Sequence, residues 1–243
     1  MFLIQKISES FCVNKSVCSL FLDVSKAFDR VWHEGLIFKL YGIGAPIYLI
    51  KWIISFLDKR KFCVVINGSF SVFFIIKVGV PQGSVLSPLL FSVYINDIPK
   101  RDRSFMSYTL LFADDLVVFF IYNKPVNLQG IINNYLKELE PWLLSWKMCI
   151  SPEKSSYMIF TRNKSKPLLN LNLFKRSLPQ SNTIKFLGVT LDCRLTFKHY
   201  VDEIREKCNS RLNLIKIVSR KSWGLSISTM STIYKSLIGS IID

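Results

Sequence analysis

Two adjacent carboxylates, Asp114 and Asp115, interrupt an apolar run, with Leu110-Leu111 before them and Leu116 to Phe120 after. Taking an unpaired carboxylate out of water is costly, so such a pair sits at a turn or holds a cation. The flanking runs read as two strands, with the acids at or next to the tip of their hairpin. A third acid, Asp23, closes a similar run, Val17-Cys18-Ser19-Leu20-Phe21-Leu22. On neighbouring strands, about 4.8 Å apart, Asp23 and Asp114 make a hard, oxygen-only site suited to Mg²⁺. Two such ions roughly 3.5 to 4 Å apart clamp the attacking and leaving oxygens of an in-line phosphoryl transfer. The competing reading is an Asp-Asp turn and an unrelated strand-end Asp. Because the two acids are 91 positions apart, only long-range strand pairing brings them together.

Other residues offer weaker signals. Phe28 lies five positions after Asp23; on pattern alone it starts a core face, and Asp29 caps the helix that follows. Gly79-Val80-Pro81-Gln82-Gly83-Ser84 reads as a loop. Its glycines let a backbone approach a ligand, and the helix N-terminus after it favours phosphate. Lys154, in Ser151-Pro152-Glu153-Lys154, falls at the end of a strand that starts at Ser156, and by default it is solvated. Lys185 to Val189 is an ordinary strand unless a substrate backbone passes over Gly188. Trp142, Trp146 and Trp223 read as core more readily than as base-stacking platforms.

The elements that must position these groups follow from periodicity. Met1 to Phe11 is a short amphipathic helix, and Val31 to Tyr41 and Pro46 to Leu57 are two more. Phe62 to Ile66 and Phe70 to Val78 flank Asn67-Gly68, a strong hairpin signal. Ser87-Pro88 caps and opens a helix to about Ile98, and a further helix starts near Leu128. Strands follow at Ser156 to Thr161 and Thr183 to Leu191, then helices at Phe197 to Ser219 and Ile227 to Ile241. The polar, basic connector holding Pro167 and Pro179 is the best candidate boundary. The layout is a mixed α+β core to about residue 161 and a helical appendage from about residue 195.

Composition narrows the partner class. With 243 residues, 50% hydrophobic, the chain has enough to bury a substantial core. A net charge of +15 points to a polyanion, nucleic acid or an anionic membrane surface. From Glu153 to Lys221 there are 15 Lys/Arg against 5 Asp/Glu, so two thirds of the excess is C-terminal. Six scattered cysteines without a Cys-x-x-Cys pair argue against zinc or a disulfide framework and fit a reducing, intracellular setting. No stretch reaches the roughly 18 uninterrupted apolar residues of a membrane span, so a soluble protein is expected.

Taken in order, Phe21-Leu22-Asp23-Val24-Ser25-Lys26-Ala27-Phe28-Asp29-Arg30-Val31, then Gly79-Val80-Pro81-Gln82-Gly83-Ser84-Val85-Leu86-Ser87-Pro88, then Phe112-Ala113-Asp114-Asp115, then Pro152-Glu153-Lys154, then Phe186-Leu187-Gly188-Val189 closely resembles the reverse transcriptases of non-LTR (LINE and jockey-like) retrotransposons. The resemblance implies a right-hand polymerase palm, an α+β fold whose mixed, mainly antiparallel sheet carries helices on one face. Partial fingers end near Asn67, and a helical thumb begins. The chain then divides into palm with partial fingers, residues 1–194, and partial thumb, residues 195–243.

The resemblance also implies RNA-directed DNA polymerase activity, with an RNA template, a DNA primer, deoxynucleoside triphosphates and other parts of a polyprotein as partners, and no membrane. Two Mg²⁺ ions, with Mn²⁺ as the alternative, would be held by Asp23, the Val24 carbonyl and Asp114, with Asp115 as the supporting catalytic carboxylate. Phe28 is then the aromatic gate that collides with a 2′-hydroxyl. Gln82 and Gly83 line the nucleotide pocket and template, Lys154 matches the lysine after the palm helix, and Phe186, Leu187, Gly188 and Val189 grip the primer end. Fingers in such enzymes precede the Asp23 motif, and 22 residues precede it here. An N-terminally truncated piece or decayed copy is therefore expected, a poor polymerase alone. The alternative function is a catalytically silent nucleic-acid-binding remnant.

Overall fold

The run Ser16 to Val24 becomes the strand β1, buried along its whole length except at half-buried Asp23. The computed structural model describes residues 2–100, 106–220 and 223–242, grouped in two compact units, Met1–Ser181 and Asn182–Asp243. In the first unit β1 pairs antiparallel with β7 (Asp115–Tyr122) and β8 (Ile150–Phe160), and β6 (Ser107–Phe112) extends the sheet beyond β7. The order β6-β7-β1-β8 makes β1 interior. A strand covered on both faces needs a continuous apolar run rather than an alternating one, which is how this stretch reads.

Helices supply the cover. Cys18, Leu20 and Leu22 share one core with Val118, Phe120, Tyr157 and Ile159 and with the inner sides of α2 (His33–Gly42), α3 (Ile47–Leu57), α4 (Ser87–Ile95) and α5 (Leu128–Ser145). Ile131, Ile132, Tyr135, Leu136 and Leu139 of α5 are all buried, as their spacing requires. The alternate residues of the sheet meet α1 (Phe2–Cys12), whose Leu3, Ile7 and Phe11 are buried and whose Phe2 ring lies 6.5 Å from that of Phe119.

One charge sits inside this packing. Lys39 of α2 is buried, donates to the carbonyl of Tyr94 and the carboxylate of Asp97, and holds its ammonium 3.5 Å from the centroid of the Trp146 ring. Burial lowers its pKa below the ordinary lysine value, while Asp97 acts in the opposite direction.

Two expectations change. The Asn67-Gly68 turn has both residues at positive φ, 50° and 80°, as a tight two-residue hairpin demands. The flanking strands are shorter than their sequence suggests, broken into β2 (Lys61–Phe62), β3 (Val65–Ile66), β4 (Ser69–Phe70) and β5 (Phe74–Ile75). Their side chains are exposed, so no core face enforces a longer ladder. The connector with Pro167 and Pro179 packs with the first unit, which ends at Ser181, the connector's own C-terminal end. Its β9 (Asn172–Leu173) and β10 (Arg176–Ser177) pair, and Leu169, Leu171, Leu173 and Leu178 are buried in the main core.

The second unit begins at Asn182, earlier in the chain than residue 195. It contains a hairpin of β11 (Thr183–Phe186) and β12 (Val189–Asp192), α6 (Lys198–Val218), α7 (Ile227–Tyr234), a π-type turn over Lys235–Gly239 and α8 (Ser240–Ile242). Asp192 closes the hairpin onto α6, accepting from the N–H groups of Arg194 and Phe197 at 2.9 and 2.8 Å. Burial alone raises its pKa, and these hydrogen bonds together with Thr196 outweigh it and hold the carboxyl low. No residue of α6 is buried, so its basic side chains face water. Lys221 lies outside the described residues.

Candidate active site

The β1–β7 register sets Asp23 directly opposite Asp115, and the N–H of Val24 donates to the carbonyl of Asp114 at 3.1 Å. Phe112 and Asp115 are the last pair of the β6–β7 ladder, so Ala113 and Asp114 form a two-residue tip. Ala113 takes φ 51°, a left-handed conformation that costs an L residue roughly 1–2 kcal/mol. The strain is the cost of placing an exposed Asp114 beside the end of β1.

Charge accumulates there. The carboxyl of Asp115 is raised above its ordinary pKa first by burial, then by the negative charges of Asp114 and Asp23. A raised carboxylate pKa means the folded state keeps its proton longer than the unfolded chain. Stability therefore falls as pH rises from 3.8 through the raised value and stays reduced above it. Asp115→Asn is accordingly expected to raise the melting temperature at pH 7 in a chelator, and Mg²⁺ to raise that of the wild type more than that of the variant. Scanning calorimetry showing a lower melting temperature for the variant in chelator would contradict this.

On the other side of β1, strand β8 is irregular. Phe21 pairs with Ser156 and Asp23 with Ser151, so two steps along β1 are matched by five along β8. Pro152 lies inside the extra loop, where it is spared the ladder bond it cannot donate. Ser155 fixes the loop, its Oγ accepting from the Asp23 N–H at 3.1 Å and donating to the Ser151 carbonyl at 2.6 Å. The loop aims Lys154 back at the acids, with Nζ 4.0 Å from Asp23 Oδ2. Lys154 is thus not merely a solvated strand-end lysine. Its side chain remains 73% exposed, so the pair is weak and the lysine can turn to another anion.

Beside the acids lies a cleft of about 510 Å³ lined by Lys26, Phe28, Gln82, Gly83, Ser84 and Asp114, among others. Half-buried Phe28 packs on Phe91 with ring centroids 5.1 Å apart and also lines the cleft. The 79–83 loop is laced to the segment after Asp23: Gly79 N–H donates to Val31 and Val80 N–H to Phe28, both at 2.8 Å. The Gly79 carbonyl is in turn bonded by His33 Nε2 at 2.8 Å and Arg60 Nη1 at 3.1 Å.

Among the described residues no three His, Cys, Asp or Glu side chains form an all-protein metal cage. Mg²⁺ does not need one, since it binds through one or two carboxylates and fills its octahedron with water and substrate phosphates. The acids at the β1–β7 end, only weakly countered by Lys154, are that kind of donor set.

The first unit thus unites Asp23, Val24, Phe28, Gln82, Gly83, Asp114, Asp115 and Lys154. Phe186, Leu187, Gly188 and Val189 belong to the second unit, where Leu187 and Gly188, both at positive φ, form the tip of the β11–β12 hairpin. Two capping expectations are corrected. Asp29 does not cap α2, whose cap position is Trp32 without a side-chain bond; it sits in a 3-10 turn and bonds Gln82. Leu86, not Ser87, occupies the cap position of α4, and the Ser87 hydroxyl donates to the Pro81 carbonyl. The supports His33 and Arg60 carried no local sequence signal, because their partner is a backbone carbonyl far along the chain.

Residues 4–191 match the family model of the reverse transcriptase (RNA-dependent DNA polymerase). The chain is 35% identical over 230 residues to a probable RNA-directed DNA polymerase from transposon X-element of Drosophila melanogaster, covering 93% of this chain and 25% of that protein. It is 34% identical over 235 residues to the RNA-directed DNA polymerase from mobile element jockey of the same organism, covering 90% and 24%. The chain therefore spans about a quarter of the length of these relatives. Among solved structures, apo telomerase from Candida tropicalis, truncated from its C-terminal domain, superposes with a TM-score of 0.56 at 16% identity, over 81% of this chain and 38% of that one. The same organism's telomerase in complex with a fragment of telomeric RNA gives 0.56 at 13% identity, over 99% and 40%. That likeness establishes an α+β fold of the reverse-transcriptase palm type. With sequence, fold and matched span in agreement, the chain belongs to the reverse transcriptase family, as a domain of the non-LTR, jockey-like retrotransposon branch.

Proposed function

We propose that the first unit carries the nucleotidyl-transfer centre of an RNA-directed DNA polymerase. A primer 3′-hydroxyl attacks the α-phosphate of a deoxynucleoside triphosphate paired to an RNA template, and pyrophosphate leaves. The observation that supports this reading is the convergence of Asp114 with Phe28, Gln82 and Gly83 on one cleft, next to an Asp23 held opposite Asp115. Asp23, the Val24 carbonyl and Asp114 would hold Mg²⁺, which supplies charge neutralisation at the reacting phosphate. Lys154, weakly paired to Asp23, is placed to turn toward the phosphates. Gln82 and Gly83 bound the base and sugar, and Phe28 limits the space at the sugar's 2′ position.

Phe28→Val is expected to raise ribonucleotide incorporation relative to deoxyribonucleotide by at least about tenfold, within the range that the removal of pocket atoms commands. Competitive incorporation on a primed RNA template measures the ratio. An unchanged ratio with an intact fold returns Phe28 to the core alone. Extension of a DNA primer on RNA, dependent on Mg²⁺ and on deoxynucleotides, tests the activity itself. Salt-sensitive binding to an RNA/DNA hybrid without extension selects instead the silent nucleic-acid-binding remnant, which the basic excess from Glu153 onward favours.

A further inference from the structure

We propose that Asp29 is a positioning residue for the cleft, its carboxylate fixing the side-chain amide of Gln82 in one orientation. The inference rests on the reading of the cleft as the nucleotide pocket. Gln82 Nε2 donates to Asp29 Oδ1 at 2.9 Å. Gln82 lines the cleft and Asp29 does not, so Asp29 acts through its neighbour rather than on a ligand.

The contact is exposed, and three features tie it to the fold. The backbone under the pair is already fixed by the Gly79–Val31 and Val80–Phe28 bonds, and Asp29 N–H donates to Lys26 at 3.0 Å. Gly79, at φ 84°, presses so closely on this segment that a Cβ there would come within 2.9 Å of the Asp29 Cα and carbonyl oxygen. The Asp29–Gln82 bond is thus the side-chain rung of a clasp between two rigid segments. Finally, an ionised carboxylate only accepts, whereas an amide presents a donor end and an acceptor end. The NH₂ group of Gln82 must therefore face Asp29, and its carbonyl Oε1 is turned away from that carboxylate. Without Asp29 the two orientations are close in energy, and a ligand must select one of them.

Single-nucleotide incorporation on a primed RNA template decides the matter, using wild type, Asp29→Ala, Gln82→Ala, the double variant and Asp29→Asn. Asp29→Ala is expected to raise the KM for the deoxynucleotide about tenfold with kcat nearly unchanged, the scale of a lost charge-assisted hydrogen bond that only orients. Gln82→Ala should do the same and the double variant no more than either, because both remove one clasp. Asp29→Asn should restore most of the wild-type KM, since its Oδ1 still accepts. Independent, multiplying effects of the two alanines overturn the proposal, as does an unchanged KM in Asp29→Ala. A wild type that incorporates nothing selects the silent remnant and removes the kinetic readout. The proposal then stands or falls on the ¹⁵N side-chain resonances of Gln82. A Gln82 NH₂ proton shifted downfield by the carboxylate in the wild type and returned to the free-glutamine position in Asp29→Ala upholds it, and identical signals in both proteins overturn it.

Discussion

Asp114→Asn is expected to lower Mg²⁺-dependent primer extension at least about 10³-fold, because on the proposed reading the several kcal/mol of charge neutralisation at the reacting phosphate depends on this carboxylate. The side chain is exposed at the two-residue tip, so the substitution leaves shape intact, and stability should stay within about 0.5 kcal/mol of wild type. It also removes one of the charges that raise Asp115, which works in favour of stability. Loss of activity with an unchanged melting curve is thus the signature of chemistry rather than folding. Steady-state extension by the purified chain and its variant, at matched Mg²⁺, makes the comparison. Extension that persists in Asp114→Asn would show that the acids at the β6–β7 tip are not the reacting centre.

The second large effect is structural and lies away from the cleft. Asp97→Ala is expected to cost about 3 kcal/mol, the lower end of what a stranded buried charge costs, because half of the Asp97 side chain is already in water. Lys39 would keep the Tyr94 carbonyl and the Trp146 ring but lose its counter-charge. Lys39→Met retains the straight stem and removes the charge, and its stability should fall within about 1 kcal/mol of wild type or exceed it. The pH dependence has a fixed sign. A lysine whose folded pKa is lowered binds fewer protons folded than unfolded, so its destabilising contribution is full at low pH and relieved as pH rises toward 10.5. Urea titrations at two pH values should show that relief in the wild type and not in Lys39→Met. An Asp97→Ala protein as stable as wild type would remove Lys39 from the account of how α2, α4 and α5 stay together.

Much of this was readable in the chain because the relevant constraints are local. The unbroken apolar run that β7 buries, the helical spacing of Ile131 to Leu139 and the two-residue Asn67-Gly68 turn each follow from a few consecutive side chains. Asp23 and Asp114 stand out in the sequence because charge in an apolar run is locally anomalous. The extra residues of β8 were not legible, since a bulge is visible only against the strand it pairs with. Asp29 was misread for a related reason: an acid ahead of a helical pattern looks like a cap, and the partner that claims it is 53 positions away. The connector around Pro167 and Pro179 does end where the first unit ends, but its polar composition hid four leucines with a place in the core.

The interior position of β1 has a consequence for how the chain is made. Asp23 pairs with Asp115 and Val17 with Phe160, so each residue of the strand leaves the ribosome at least 92 residues ahead of its partner on either neighbour. At roughly 5–20 residues per second, it waits on the order of ten seconds for the last of them. During that interval an apolar segment with two bare edges is exposed to other nascent chains, the arrangement most prone to pair with the wrong partner. The order β6-β7-β1-β8 also delays assembly of the acidic pair, because Asp23 gains a strand on each side only after β8 has emerged. Synthesis thus separates a long, vulnerable apprenticeship of the first strand from the moment at which the carboxylates can act.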